Sequence, residues 1–217
     1  FAYLTEALPA VARLYHAAAR NISLWTVGRR LFDGTGSEAV AGIGAPPLVE
    51  SAPAAAAVSA ALPALLLLAS LVAVRRQRSE ARSLGLMICV SILVSPISWS
   101  HYLVLAAIPA VQVGSWLVRR GMPPRETNLA VVVALLLVPG DGWTRLALAV
   151  AGKTAAADGT VMIPFAPALL TLMPAVAVAA LALLLVGLPE AEDREPPPKR
   201  PEPGAEPHRG LSAGGVA

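Results

Sequence analysis

An uncharged run of 23 residues, 52–74, constrains the fold of this chain more than any other feature. A helix of that length is about 35 Å long and crosses the roughly 30 Å hydrocarbon layer of a bilayer. Only 14% of the residues are charged, whereas a soluble domain carries about 25%. The pattern therefore predicts an all-α, polytopic membrane helical bundle with about five membrane segments. The further apolar runs are 84–97, 102–118, 129–139 and 165–188.

The basic residues are concentrated in two short loops between these runs. RRQRSEAR at 75–82 has a net charge of +3, and RRGMPPRE at 119–126 has a net charge of +2. Such loops are typical of the cytoplasmic side of a membrane protein and not of a nucleic-acid surface, so no nucleic-acid partner is expected. Alternation then predicts that residues 1–51, 95–102 and 140–160 share the extracytoplasmic side.

The chain divides into three regions by composition. Residues 1–51 form an extracytoplasmic amphipathic or interfacial segment, and residues 52–188 form the transmembrane helical domain, with a kink expected near Pro174. Residues 189–217 are charged and rich in proline, and are expected to be a disordered cytoplasmic tail. Because the chain starts at Phe1 in the middle of a pattern, we expect it to be the C-terminal part of a longer protein.

Four arginines lie in the amphipathic segment, on the side where the charge rule does not favour them. One interpretation is that they are solvated or pair with Glu6, Asp33 and lipid head groups. The other is that some of them hold an anionic ligand at the membrane surface, because a guanidinium donates two parallel hydrogen bonds to a phosphate.

The segment SPISWSHY, 95–102, places polar side chains at the outer end of a span. Pro96 ends the helix and frees backbone carbonyls, which Ser95 or Ser98 could help to satisfy. Trp99 and Tyr102 suit a membrane interface. The simpler interpretation is an aromatic belt with a hydrogen-bonded histidine. The alternative is that His101 donates to an anion or transfers a proton.

Two elements resemble the bacterial polyprenol-phosphate-sugar-dependent glycosyltransferases of family 87. SPISWSHY is similar to the family element Ser-Pro-x-Ser-Trp-x-His-His, and NISLWTVGRRL at 21–31 is similar to Asn-Gln-Ser-Leu, a variable stretch, then Arg-Leu. The residues of the second element that match are Asn21, Ser23, Leu24, Arg30 and Leu31. The residues that depart from the family are Ile22 for Gln, Thr26 for a usual Gly, and Tyr102 for the second His.

The resemblance implies a partial C-type glycosyltransferase fold in a bacterial cytoplasmic membrane, with its active face outside. The enzyme would transfer a sugar, with mannose the first expectation, from a polyprenyl-phosphate donor to a glycolipid or glycan acceptor. It would need no metal and no other cofactor, and its further partners would be membrane lipids. His101 is the expected catalytic group. The residues expected to bind the donor phosphate or sugar are Arg30, Arg29, Asn21, Ser23, Trp99 and Ser98.

The catalytic carboxylate is not evident in the sequence. The resemblance implies an Asp in a first outer loop, before residue 1, so the chain by itself is expected to be inactive. Asp33, Glu38, Asp141 and Asp158 lie on the predicted outer side, but none belongs to a recognised element. A non-catalytic membrane partner or part of a lipid-linked sugar transporter therefore remains an alternative. The sequence does not identify the sugar, the acceptor or the oligomeric state.

Overall fold

The computed structural model describes residues 3–15, 18–37, 40–137, 141–153 and 160–187, and these residues are mostly helical. The predicted disordered tail lies outside the described residues, as do Glu38 and Asp158. The helices are α1 Leu8–Tyr15, α2 Trp25–Phe32, α3 Ala52–Arg76, α4 Glu80–Val94, α5 Ala107–Arg119, α6 Pro124–Leu137, α7 Gly142–Val150, α8 Phe165–Ala168 and α9 Met173–Gly187. A π-helix, Tyr3–Ala7, precedes α1, and 3-10 turns, Ser100–Ala106 and Leu169–Leu172, precede α5 and α9.

Helix α3 has clear start and stop signals. The Ser51 hydroxyl accepts a hydrogen bond from the Ala54 amide at 3.4 Å, and Pro53 stands in the first turn, where its missing N–H is not needed. The helix ends at two arginines, and the Gln77 amide donates to the Ala73 carbonyl at 3.0 Å. Its length of 25 residues, about 37 Å, fits the run predicted from the sequence.

Within the part of the chain that the structure describes, three helical stretches are long and apolar enough to cross a membrane, namely Ala52–Arg76, Ser100–Arg119 and Phe165–Gly187. Helices α6 and α7 pass the same test only as a pair, bent by 80°. Helix α4 has 15 residues and is about 22 Å long, shorter than the hydrocarbon layer. The helical class and the membrane character are thus supported, whereas the predicted number of about five membrane segments is not confirmed.

The main core lies where α4, α5 and α9 pack against one another. Leu93 of α4, Val113 of α5 and Val178 of α9 are almost completely buried there. Residues of α3 are mostly exposed, as expected for a helix that faces lipid. The last span changes from a 3-10 turn to a regular α-helix at Met173, next to Pro174, and the kink expected near Pro174 stays a prediction.

A small three-stranded sheet, which the sequence analysis did not predict, lies beside the bundle. Strand β1 Thr35–Ser37 pairs antiparallel with β2 Val40–Ala45, and β2 pairs parallel with β3 Thr160–Met162. A second, smaller core joins this sheet to α7 and α8 through Ile43, Leu148 and Ala168. Residues 142–150 therefore pack with the sheet. The pairing of β2 with β3 also brings residues 40–45 together with residues 160–162, and the side of the membrane on which they lie stays a prediction.

Candidate functional site

The two sequence elements that carry the resemblance meet at the C-terminal end of α4. Helix α4 ends at Val94 because Pro96 cannot continue it, and the last carbonyls of a helix have no partner within the helix. The segment 21–25 supplies those partners. The Leu24 amide donates to the Leu93 carbonyl at 2.8 Å, and the Trp25 indole N–H donates to the Val94 carbonyl at 2.7 Å. We call residues 21–26 together with residues 93–98 the polar corner.

Asn21 is the central side chain of the polar corner and is completely buried. Its Oδ1 accepts from the amides of Ser23 at 3.1 Å and Ser98 at 2.9 Å. Its Nδ2 donates to the carbonyls of Pro96 at 3.0 Å and Tyr15 at 3.3 Å. An amide side chain has two donors and two acceptor sites, so its hydrogen-bonding capacity is fully used. In this arrangement Asn21 fixes the backbone and has no group left for a ligand.

The departures from the family pattern are accommodated in the corner. Ile22 is 2% exposed, and its amide donates to the Ser98 carbonyl at 2.7 Å, an interaction that does not depend on the side chain. The Thr26 hydroxyl is buried and donates to the carbonyls of Ser23 at 2.8 Å and Asn21 at 3.2 Å. These two substitutions therefore leave the hydrogen-bonded frame intact.

Arg30 lies beneath the corner and is only 3% exposed. One terminal nitrogen donates to the carbonyls of Ala18, Ala19 and Asn21 at 3.0, 2.7 and 2.6 Å. The other donates to the Thr171 hydroxyl at 3.2 Å. Burial lowers the pKa of Arg30 to about 10, so the guanidinium stays protonated at neutral pH. No acidic side chain among the described residues pairs with Arg30. The dipoles of the carbonyls that it contacts therefore compensate the charge of this buried cation.

Helix α2 approaches α3 closely through glycine. A Cβ atom on Gly28 would lie 2.5 Å from the Ala55 carbonyl oxygen and 2.5 Å from the Ser59 amide nitrogen. Ala55 and Ser59 are buried and one turn apart, which is the small-residue spacing that allows helices in membranes to touch. This contact holds α2, and with it Arg30, against the first span.

The exposed rim of the corner carries the remaining functional candidates. Trp25, His101 and Tyr102 are exposed, and the rings of His101 and Tyr102 have their centroids 4.5 Å apart. Trp99 is half-buried and packs edge-on against Tyr15 at a centroid distance of 5.1 Å. Both an interfacial aromatic belt and a ligand-binding surface would place aromatic side chains here, so this arrangement does not distinguish the two interpretations.

The structure gives a hydrogen-bond partner to one of the four acids that the sequence placed on the outer side without a motif. The Ser100 hydroxyl donates to the Asp141 carboxylate at 2.8 Å, which places an exposed acid beside the histidine segment. Asp141 lies on the predicted outer side, but no motif connected it with a residue 41 positions earlier. Asp141 is thus hydrogen-bonded to a residue two positions after the end of the polar corner.

The predicted site residues fall into two groups. Asn21, Ser23, Ser98 and Arg30 are buried and hold the polar corner together, whereas His101, Trp99 and Arg29 remain accessible at or near its surface. Arg29 forms an ion pair with Asp33 one helical turn later. The structure brings the two elements into contact, but Arg30 and His101 do not share one exposed surface. Direct phosphate binding by Arg30 stays a prediction, and its guanidinium is already occupied by carbonyls.

Ser98 Oγ in the polar corner and Arg30 Nε beneath it are buried and lack a hydrogen-bond partner within the described part of the chain. Buried groups of this kind are normally satisfied by water or by a ligand. No cluster of three or more metal-ligating side chains is present among the described residues.

Comparison with protein families, with curated proteins and with solved structures finds no match.

Proposed function

We propose that the chain forms the donor-binding half of a bacterial membrane glycosyltransferase that uses a polyprenyl-phosphate sugar, as the resemblance to family 87 implies. The observation that supports this proposal is the contact between the two elements of the resemblance, which are about 70 residues apart in sequence. Their hydrogen bonds to each other run through Asn21 and Ser98, two residues that match the family elements. If the two motif matches were accidental, there would be no reason for the two segments to be hydrogen-bonded to each other.

In this proposal the buried residues of the site have structural roles, and the exposed residues at the rim of the polar corner bind the donor. The buried Arg30 is a positioning residue, because it ties residues 18–21 to the last span through Thr171. The rim supplies the groups that touch the donor, with His101 and Arg29 donating to the phosphate. Exposed apolar side chains follow His101 along the same helix at Val104 and Ile108, and they suit a polyprenyl tail.

Asp141 is the carboxylate that this chain itself offers to the acceptor. A transferase of this kind needs a base for the proton of the acceptor hydroxyl, and a carboxylate held by a hydrogen bond close to the donor site is suited to that role. The Ser100 hydroxyl fixes Asp141 next to the histidine segment. The Asp that the resemblance implies before residue 1 is the competing candidate.

The test is sugar transfer from radiolabelled polyprenyl-phosphate mannose in membranes that contain the full-length protein. His101→Ala should lower the rate by about 10²-fold or more, whereas Tyr102→Phe, which keeps the neighbouring ring, should not. Asp141→Asn keeps the hydrogen bond with Ser100 but removes the base, and Ser100→Ala does the reverse. Loss of transfer in Asp141→Asn alone supports the base. Transfer that survives both His101→Ala and Asp141→Asn rejects the proposed rim.

The second candidate function is a non-catalytic membrane partner. Four of the seven predicted site residues are buried, which favours this alternative, because residues that stabilise the fold can be retained in a protein that has lost its enzymatic activity. A folded protein that shows no transfer with any polyprenyl-phosphate sugar, and that still associates with an envelope enzyme, would decide for this alternative.

A further inference from the structure

A groove at the opposite end of the bundle combines an apolar floor with two arginines. It lies between α3, the end of α9 and the start of α4, and its cavity has a volume of about 590 Å³. Leu65, Leu68 and Val72 of α3 line its apolar part, and all three are exposed. Arg76 and Arg82 line its polar end. This groove is separate from the polar corner, because α3 and α4 each connect the two ends of the bundle.

The length of the groove matches one leaflet of a bilayer. Eleven residues separate Leu65 from Arg76, and at about 1.5 Å per residue they cover about 17 Å. Half of a hydrocarbon layer about 30 Å thick is about 15 Å. A lipid chain that lies along α3 from the middle of the membrane therefore brings its head group to the level of the arginines.

The polar end of the groove is held in place by the linker between α3 and α4. Gln77 donates from Nε2 to the Leu185 carbonyl of α9 at 3.2 Å, and its Oε1 accepts from the Ser83 hydroxyl at 3.3 Å. The Ser79 hydroxyl accepts from the Arg82 amide at 3.4 Å and caps α4. Arg76, the last residue of α3, and Arg82, in the first turn of α4, therefore flank a linker that is hydrogen-bonded to both α9 and α4.

The positive charge at the polar end of the groove favours an anionic ligand. The loop 75–82 has a net charge of +3, and Glu80, its acidic residue, is exposed and does not line the cavity. Guanidinium groups bind phosphate through parallel hydrogen bonds, and basic pockets between membrane helices are suited to anionic head groups. We propose that this groove binds one anionic phospholipid, with its phosphate at Arg76 and Arg82 and one acyl chain along Leu65, Leu68 and Val72.

The experiment compares phosphatidylglycerol with phosphatidylcholine of the same acyl chains. Native mass spectrometry of the purified chain counts the lipid molecules that remain bound as each lipid is added. Phosphatidylglycerol should be retained in preference to phosphatidylcholine. Removal of two guanidinium groups in Arg76→Gln/Arg82→Gln should weaken phosphatidylglycerol binding by about tenfold or more. Arg76→Gln alone gives a milder second variant in case the double substitution disturbs the linker.

Two control variants distinguish a specific lipid-binding site from nonspecific attraction of lipids to a positively charged surface. Arg119→Gln/Arg125→Gln removes the same charge from the other basic loop and should leave binding unchanged. Ala69→Phe fills the apolar part of the groove without a change of charge, and should weaken binding of the lipid.

Three results would overturn the proposal. The first is equal retention of both lipids, and the second is an equal loss of binding in Arg119→Gln/Arg125→Gln. The third is competition by glycerol phosphate, together with undiminished binding in Ala69→Phe, which would mean that the site takes a free phosphate group and no acyl chain.

Discussion

Replacement of the buried Arg30 by methionine is expected to destabilise the protein. The change removes three charged N–H donors, two on the nitrogen that bonds the carbonyls of Ala18, Ala19 and Asn21 and one on the nitrogen that bonds Thr171, at about 2 kcal/mol each, or about 6 kcal/mol together. The Ala19 carbonyl is then left with no donor, whereas the Ala18 carbonyl keeps the Asn21 amide and the Asn21 carbonyl keeps the Thr26 hydroxyl. It also removes the cost of burying the cation. Lowering of the pKa from 12.5 to about 10 corresponds to about 3 kcal/mol. The difference predicts a net loss of about 3 kcal/mol.

The thiol of Cys89 can be used to measure the unfolding of each variant. Cys89 is the one cysteine in the sequence and is completely buried, so a thiol-reactive fluorophore labels it only when the bundle opens. A loss of about 3 kcal/mol should lower the melting temperature on the order of 10 °C.

The matched control is Arg29→Met at the neighbouring position. It removes an ion pair whose side chains are about one-third exposed, and it should cost less than about 1 kcal/mol. An Arg30→Met protein that melts within about 2 °C of the Arg29→Met protein would refute the reasoning, because the carbonyls would then have needed no cation.

Three further predictions use the same thiol assay. Gly28→Ala should cost about 1–3 kcal/mol because its Cβ would collide with the α3 backbone, whereas Gly114→Ala, with nothing within 4 Å of its Cβ, should cost almost nothing. Asn21→Leu should cost about 3 kcal/mol or more because it removes four hydrogen bonds and leaves the amides of Ser23 and Ser98 and the carbonyl of Pro96 without a partner, and Asn128→Leu at an exposed site should change stability by less than about 0.5 kcal/mol. Gln77→Ala should cost about 1 kcal/mol through the lost bond to α9. Equal melting temperatures within either matched pair, or an unchanged one for Gln77→Ala, would contradict the corresponding contact.

The sequence predicted the parts of the fold that depend on hydropathy and helix-ending residues. The run 52–74 corresponds to α3, which ends at its arginines, and Pro96 does end the preceding helix just before the polar segment. The predicted amphipathic segment contains helices α1 and α2. These features are local, so periodicity and the chemistry of proline are sufficient to locate them.

The features that the sequence did not predict depend on long-range contacts. Strand β3 has three residues and pairs with β2 about 120 residues earlier, so no local pattern marks it. The burial of Arg30 depends on carbonyls of a non-helical segment and on Thr171, which is 141 positions away. A helical projection of α2 alone cannot distinguish an arginine that faces such carbonyls from one that faces solvent. The contact between Ser100 and Asp141 was missed for the same reason.

The most direct test of the central claim is the sidedness of the histidine segment relative to the basic loops. In a Cys89→Ala background, single cysteines replace His101 and Arg119, two exposed positions at opposite ends of the same helical stretch. A membrane-impermeant maleimide applied to intact cells should label His101→Cys, and should label Arg119→Cys only after permeabilisation. Labelling of Arg119→Cys in intact cells, with His101→Cys protected, would place the polar corner in the cytoplasm and contradict the account.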